Sequence, residues 1–135
     1  MGLSPAELAE LATAFALGGM DMVKDDHGLA DQPFCPFEER VSRCAEAIAR
    51  ASEQTGRPCL YLPNVSAGGG QLRERAIFAK EAGAGGLLVS PGLSGFEAML
   101  ALARDDEIGL PIMAHPALLG SFLLLLAVRA EAADT

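Results

Sequence analysis

The stretch Met22-Val23-Lys24-Asp25-Asp26-His27-Gly28 decides how this chain is read. Met20, Met22 and Val23 lead in as apolar residues, four ionisable residues follow at once, and Gly28 releases the turn. A strand with its ionisable groups gathered at the C-terminal end is how barrel and open α/β folds present chemistry to a ligand. Four such groups in a row are too costly to bury unpaired, so they require one another, a metal ion or water. Taken alone, the stretch also fits a solvated strand-to-loop turn, because structural charge clusters outnumber active sites.

Upstream, Ser4-Pro5-Ala6-Glu7 carries a helix start: a cap, a proline for the first turn and a glutamate placed for a capping box. Leu8, Leu11, Ala12, Phe15 and Ala16 predict its buried face, and Gly18-Gly19 its end before a strand at Met20–Val23. Downstream, the spacing predicts a helix from about Pro36 to Gln54. Phe37, Val41, Cys44, Ala45, Ile48 and Ala49 would face inward, and Glu38, Glu39, Arg40, Arg43, Glu46, Arg50 and Glu53 outward. Cys44 on that apolar face reads as a small core residue. The alternation continues with a strand at Cys59–Pro63, a helix at about Gln71–Ala82 (Leu72, Ala76, Phe78 and Ala79 inward) and a strand at Gly86–Val89. A helix with Phe96, Met99, Leu100 and Ala103 inward, a strand at Leu110–Ala114 and a last helix from about Gly120 (Phe122, Leu125, Leu126, Arg129) complete it. Tyr61, within a strand, reads as a packing residue.

This order fits right-handed βαβ units and a parallel sheet of about four strands. Composition agrees: 135 residues, half hydrophobic but only 5% aromatic, suit one domain of closely packed α/β layers. A net charge of −8 argues against a nucleic-acid surface, which needs clustered Lys and Arg, so no nucleic-acid partner is expected. The apolar run at Leu123–Val128 is far short of the roughly 20 residues of a membrane span. No signal peptide is evident, and three cysteines without metal-type spacing suggest a reduced, cytoplasmic protein. Gly68-Gly69-Gly70 lacks the lysine and spacing of a phosphate loop.

Parallel strands bring their C-terminal ends to one rim, and Lys24, Asp26, Asn64, Ser90 and His115 come from four such ends. Their convergence predicts a functional site. Each also has a plain structural reading: a hydrogen-bonding histidine before Pro116, a turn asparagine at Asn64, a turn signal in Ser90-Pro91-Gly92.

Lys24-Asp25-Asp26-His27 followed by Gln32-Pro33-Phe34 resembles the RuBisCO large-chain family, whose pattern is G-x-D-x-x-K-D-D-E and then Q-P-F at fixed spacing. Gly19, Asp21, Lys24, Asp25, Asp26, Gln32, Pro33 and Phe34 match without a gap. The likeness continues through Glu39-Arg40, Ala45-Glu46-Ala47, Thr55-Gly56, Asn64, Arg75-Ala76, Phe78-Ala79, Gly95-Phe96 and His115. It implies a partial (β/α)8 TIM barrel over residues 1–135, equivalent to about barrel strands two to five. The N-terminal domain and the remaining strands would be absent.

In that family the lysine matching Lys24 takes up CO₂ as a carbamate, which with two following carboxylates holds Mg²⁺. The metal stabilises an enediolate formed by proton removal beside a sugar-phosphate carbonyl. The resemblance therefore implies Lys24, Asp26 and His27 at the metal, Lys24 and His115 in catalysis, and Asn64, Ser90 and His115 at the substrate. Uncarbamylated, Lys24 would act as a general base made available by burial. Departures redirect the reading. His27 stands in place of the second metal carboxylate, which suits Mn²⁺ or another divalent ion better than Mg²⁺. Pro116 replaces a phosphate-gripping arginine, Met113 and Leu119 replace histidines, and Ser90-Pro91 replaces a His-Asp pair.

These changes point to the RuBisCO-like protein branch. They imply enolisation of a phosphorylated sugar (isomerase or enolase type), not CO₂ fixation, with a decarboxylase or transcarboxylase of an oxo-sugar-acid phosphate as the alternative. The full-length parent is expected to be a homodimer. The isolated chain, a fragment with open sheet edges, is expected to be inactive. A flavodoxin-like domain binding Mg²⁺ through Asp25-Asp26 leaves Gln32-Pro33-Phe34 without a role.

Overall fold

Helix α1 (Pro5–Leu17) begins as its sequence requires. The Ser4 amide donates to Glu7 Oε2 at 2.7 Å while the Glu7 amide donates to Ser4 Oγ at 3.4 Å, a closed capping box. The computed structural model describes residues 2–121; the expected last helix lies outside the described residues apart from its first two positions. After α1 come β1 (Met22–Lys24), α2 (Phe37–Thr55), β2 (Leu60–Leu62), α3 (Gln71–Glu81) and β3 (Leu87–Val89). A short helical turn α4 (Pro91–Ser94), α5 (Phe96–Ala103) and β4 (Ile112–Ala114) complete the described chain. Helix α2 ends at Gly56, whose φ of 66° is a left-handed cap that glycine adopts without a Cβ penalty.

Both strand pairings among the described residues are parallel: β1 with β2, and β3 with β4. The two pairs join just past β2, where Asn64 bridges to Leu88. There the Val65 amide donates to the Leu88 carbonyl at 3.0 Å and the Leu88 amide to the Pro63 carbonyl at 2.9 Å. The spatial order is thus β1-β2-β3-β4, and the crossovers are the helices that cover one face. This is a partial (β/α) barrel with every strand's C-terminal end on one rim.

The core lies between sheet and helices. Val23, Tyr61, Leu87, Val89 and Ile112 meet Ala12, Ala16, Phe37, Val41, Cys44, Ile48, Leu72, Ala76 and Ala79 there. Burial pushes the Cys44 thiol up to about 11, in keeping with an inert packing role. On the opposite face Met22 and Leu60, which are register partners, stay exposed together with Met113.

The helix faces differ in places from their predicted ones. In α1 the small residues Ala12 and Ala16 are buried and pack closely on α2, while Leu11 and Phe15 stay exposed. Those two flank the outer edge of β1, which no described strand pairs, and border a groove of about 190 Å³ with Leu8, Val23 and Leu29. In α5 the inward residue is Leu102, supported by Ala98 and Met99, whereas Phe96, Leu100 and Ala103 are exposed. Ala49 is exposed on α2. The largest correction concerns Arg40, predicted outward and in fact fully buried. Among the described residues no helix is long and apolar enough to cross a membrane.

Candidate active site

Lys24 is the last residue of β1, and its exposed side chain donates from Nζ to the Asp25 carbonyl at 3.1 Å. The burial that a general-base lysine would draw on is therefore absent. Asp26 is exposed and turns the chain: its Oδ1 accepts the Gly28 amide at 2.7 Å, and its Oδ2 lies 3.7 Å from His27 Nδ1. His115 follows β4 directly, and its ring stacks on His27 with centroids 4.3 Å apart and planes 7° from parallel. The two ends of the sheet order thus meet through their histidines. The Ala117 amide donates to His115 Nδ1 at 3.1 Å, which leaves Nε2 as the protonated nitrogen of the neutral ring. Loss of hydration, then the neighbouring His27 and Lys24, hold the His115 pKa below its ordinary value, against a smaller pull from Asp26.

Asn64 and Ser90 lie deeper than the rim. Ser90 follows β3 directly and is fully buried; its amide donates to Ser66 Oγ at 2.8 Å, and its own hydroxyl has no hydrogen-bond partner among the described residues. Asn64 is fully buried, and its Nδ2 donates to the carbonyls of Asp26 at 3.3 Å and His27 at 2.9 Å.

Asp25 points away from the rim, into the layer between sheet and helices. Its Oδ2 accepts Arg40 Nε at 2.9 Å and the Asn64 amide at 3.0 Å, and its Oδ1 accepts the Tyr61 hydroxyl at 2.8 Å. Burial raises the Asp25 carboxyl above its usual range against the pull of Arg40, the Asn64 amide and Tyr61. Arg40 also donates to the Ala30 carbonyl at 3.0 Å and the Asn64 carbonyl at 3.4 Å, so one guanidinium ties α2 to the rim loop and to the chain after β2. Sequence reasoning missed Arg40 and the hydroxyl role of Tyr61. A signal for Arg40 was present: Phe37, Arg40, Val41 and Cys44 form an i, i+3, i+4, i+7 set, the spacing of one helix face. No sequence signal links His27 to His115.

Among the described residues no group of three or more His, Cys, Asp and Glu side chains is arranged to hold a metal ion. Asp26 and His27 offer one carboxylate and one imidazole. With the Lys24 ammonium beside them these two side chains make an incomplete set for a hard divalent ion, which takes several oxygen donors.

The chain matches the family model described as ribulose bisphosphate carboxylase large chain, catalytic domain, over residues 1–123. It is 40% identical over 119 residues to a 5-methylthioribulose-1-phosphate isomerase of Rhodospirillum rubrum, covering 88% of this chain and 32% of that one. It is 38% identical over 122 residues to a 2,3-diketo-5-methylthiopentyl-1-phosphate enolase of Bacillus velezensis, covering 90% and 30%. A crystal structure of a Rubisco-like protein from Rhodopseudomonas palustris superposes with a TM-score of 0.83 at 42% identity, covering 87% of this chain and 34% of that one. The chain therefore spans about a third of the length of the relatives it matches.

Proposed function

The chain belongs to the RuBisCO large-chain family, among its RuBisCO-like proteins, and on that premise we propose that it carries part of an enolising active site. The reaction is proton removal beside the carbonyl of a phosphorylated sugar, in the manner of an isomerase or enolase, and not CO₂ fixation. We place the chain at barrel strands two to five of a longer parent that works as a homodimer in a reducing, cytoplasmic setting, where Cys35, Cys44 and Cys59 stay free.

One observation carries this reading. The β1 turn and the end of β4 meet at the His27–His115 stack, so Lys24, Asp26 and two imidazoles share one patch of the rim. The relatives' names, which speak of methylthio-sugar phosphates, support the substrate class. Lys24 as a carbamate, Asp26 and His27 would hold Mg²⁺, or Mn²⁺ given the imidazole. When bound, such an ion supplies Lewis-acid polarisation of a carbonyl. The chain's own part is acid–base and positional. His115 keeps a neutral ring with a proton on Nε2, able to donate to a substrate oxygen, and the stack holds His27 beside it. Ser90 and Asn64 close the floor beneath.

The test is isotope exchange. A protein containing this chain, supplied with Mn²⁺ and bicarbonate, should wash deuterium from D₂O into the carbon beside the carbonyl of 5-methylthioribulose 1-phosphate. Lys24→Met and Asp26→Asn should each lower that rate by at least about a hundredfold. Undiminished exchange in Lys24→Met removes the central assignment. Release of CO₂ from an oxo-sugar-acid phosphate without such exchange would favour the decarboxylase alternative. Failure of the 135-residue chain alone to exchange, with activity in a longer parent, would mark the isolated chain as inactive.

A further inference from the structure

We propose that Asn64 is a positioning residue: it clamps the turn that presents Asp26 and His27 and does not contact substrate. The value of that turn rests on the function proposed above; the clamp itself does not. An asparagine side chain has two N–H bonds to give and one carbonyl oxygen to accept with. Both N–H bonds are spent, on the carbonyls of Asp26 at 3.3 Å and His27 at 2.9 Å, and Oδ1 accepts the Ser66 amide at 3.0 Å. Asn64 thus has no exposed surface and no side-chain donor left for a ligand.

Its backbone completes the device. The Asn64 amide donates to Asp25 Oδ2 at 3.0 Å, and its carbonyl accepts Arg40 Nη2 at 3.4 Å. A single residue after β2 thus grips the turn after β1 by its side chain and the Asp25–Arg40 pair by its main chain. The turn has few other ties. The Asp26 carbonyl also accepts the Leu29 amide at 3.1 Å, and the Gly28 carbonyl accepts Gln32 Nε2 at 2.7 Å, but the only hydrogen bond to the His27 carbonyl among the described residues comes from Asn64. Releasing that carbonyl leaves the His27–Gly28 peptide with the Gly28 amide on Asp26 Oδ1, at 2.7 Å, as its one remaining hydrogen bond among the described residues, and loosens the His27 ring and its stack on His115.

The variant that isolates the clamp is Asn64→Asp, which still accepts from Ser66 but turns an oxygen, in place of two N–H donors, toward the Asp26 and His27 carbonyls. Three readouts apply to the 135-residue chain. In the wild type, the Asn64 side-chain amide protons should exchange with solvent at least about tenfold more slowly than those of a free asparagine. In Asn64→Asp, the ring-to-ring NMR contacts between His27 and His115 should disappear. Mn²⁺ affinity, measured with bicarbonate present, should fall about ten- to a hundredfold, as for other residues that orient metal ligands. Val65→Ala, at the neighbouring fully buried core position, serves as control: it should lower the melting temperature and leave the ring contacts intact.

Retained ring contacts in a folded Asn64→Asp overturn the clamp, as does their loss in Val65→Ala to the same degree. If Asn64→Asp does not fold, the wild-type exchange decides, and fast exchange overturns the proposal. If the wild type binds no Mn²⁺, the proposed function loses its metal while the ring contacts still decide the clamp.

Discussion

Two adjacent aspartates define two regions of this molecule. Asp25 lies behind the sheet, sealed among Arg40, Tyr61 and the Asn64 main chain, with three hydrogen bonds from three different parts of the fold. Asp26, one residue on, lies on the rim in solvent, bonded to Gly28 and near His27. Alternation along an extended strand end sends them to opposite sides. The difference teaches a division of labour within one motif: the inner carboxylate spends its hydrogen-bonding capacity on the protein and holds the turn, and the outer one keeps capacity for a ligand. A rim of exposed charges is only as well placed as what anchors it from below.

The comparison can be broken most sharply at Arg40. Arg40→Met would leave the Asp25 carboxylate buried without its counter-charge and should cost about 3–5 kcal/mol in urea unfolding. A loss below about 1 kcal/mol would mean that the pair is not an anchor. Next in size, Tyr61→Phe removes one donor to a buried carboxylate and should cost about 1.5–3 kcal/mol by the same measurement. On the rim the pattern inverts. Asp26→Ala should shift stability by no more than about 0.5 kcal/mol, as at other exposed positions, while it abolishes divalent-ion binding followed by Mn²⁺ electron paramagnetic resonance.

The smallest expected effect is a titration. His115 should show an NMR midpoint below the roughly 6.5 of an unperturbed histidine. A depressed value means that the folded state prefers the neutral ring. The unfolded chain therefore takes up the proton first as pH falls, and the stability this contributes, present above the unfolded value, is lost on acidification through the folded midpoint. A midpoint above 6.5 would show that Asp26 outweighs His27 and Lys24.

Much of the fold was legible because it rests on local chemistry. The Ser4–Glu7 capping box and the four short strands are set by residues within a few positions of one another. The rim was legible for the same reason, since parallel strands align whatever follows them. Faces of helices were less so. Hydrophobic spacing alone placed Leu11, Phe15, Phe96 and Leu100 inward, but a helix buries the side that meets a neighbour, and on α1 that side centres on Ala12 and Ala16. Charge misled in the opposite sense at Arg40, because a guanidinium can enter a core when a carboxylate waits there. With it Asp25 becomes an internal anchor, and not the Mg²⁺ ligand that a flavodoxin-like domain would make of it.

By itself, then, the sequence determined the alternation of strands and helices, the strand ends that carry chemistry and the family to which they belong, because each depends on residues near in the chain or on a motif kept in register. The tertiary structure alone decided which side of each element is covered, which aspartate faces water, that Arg40 and Tyr61 serve Asp25, and that His27 reaches His115. Those outcomes depend on contacts between residues far apart in the chain, where burial and hydrogen bonding are settled by the partner that arrives and not by the residue's own preference.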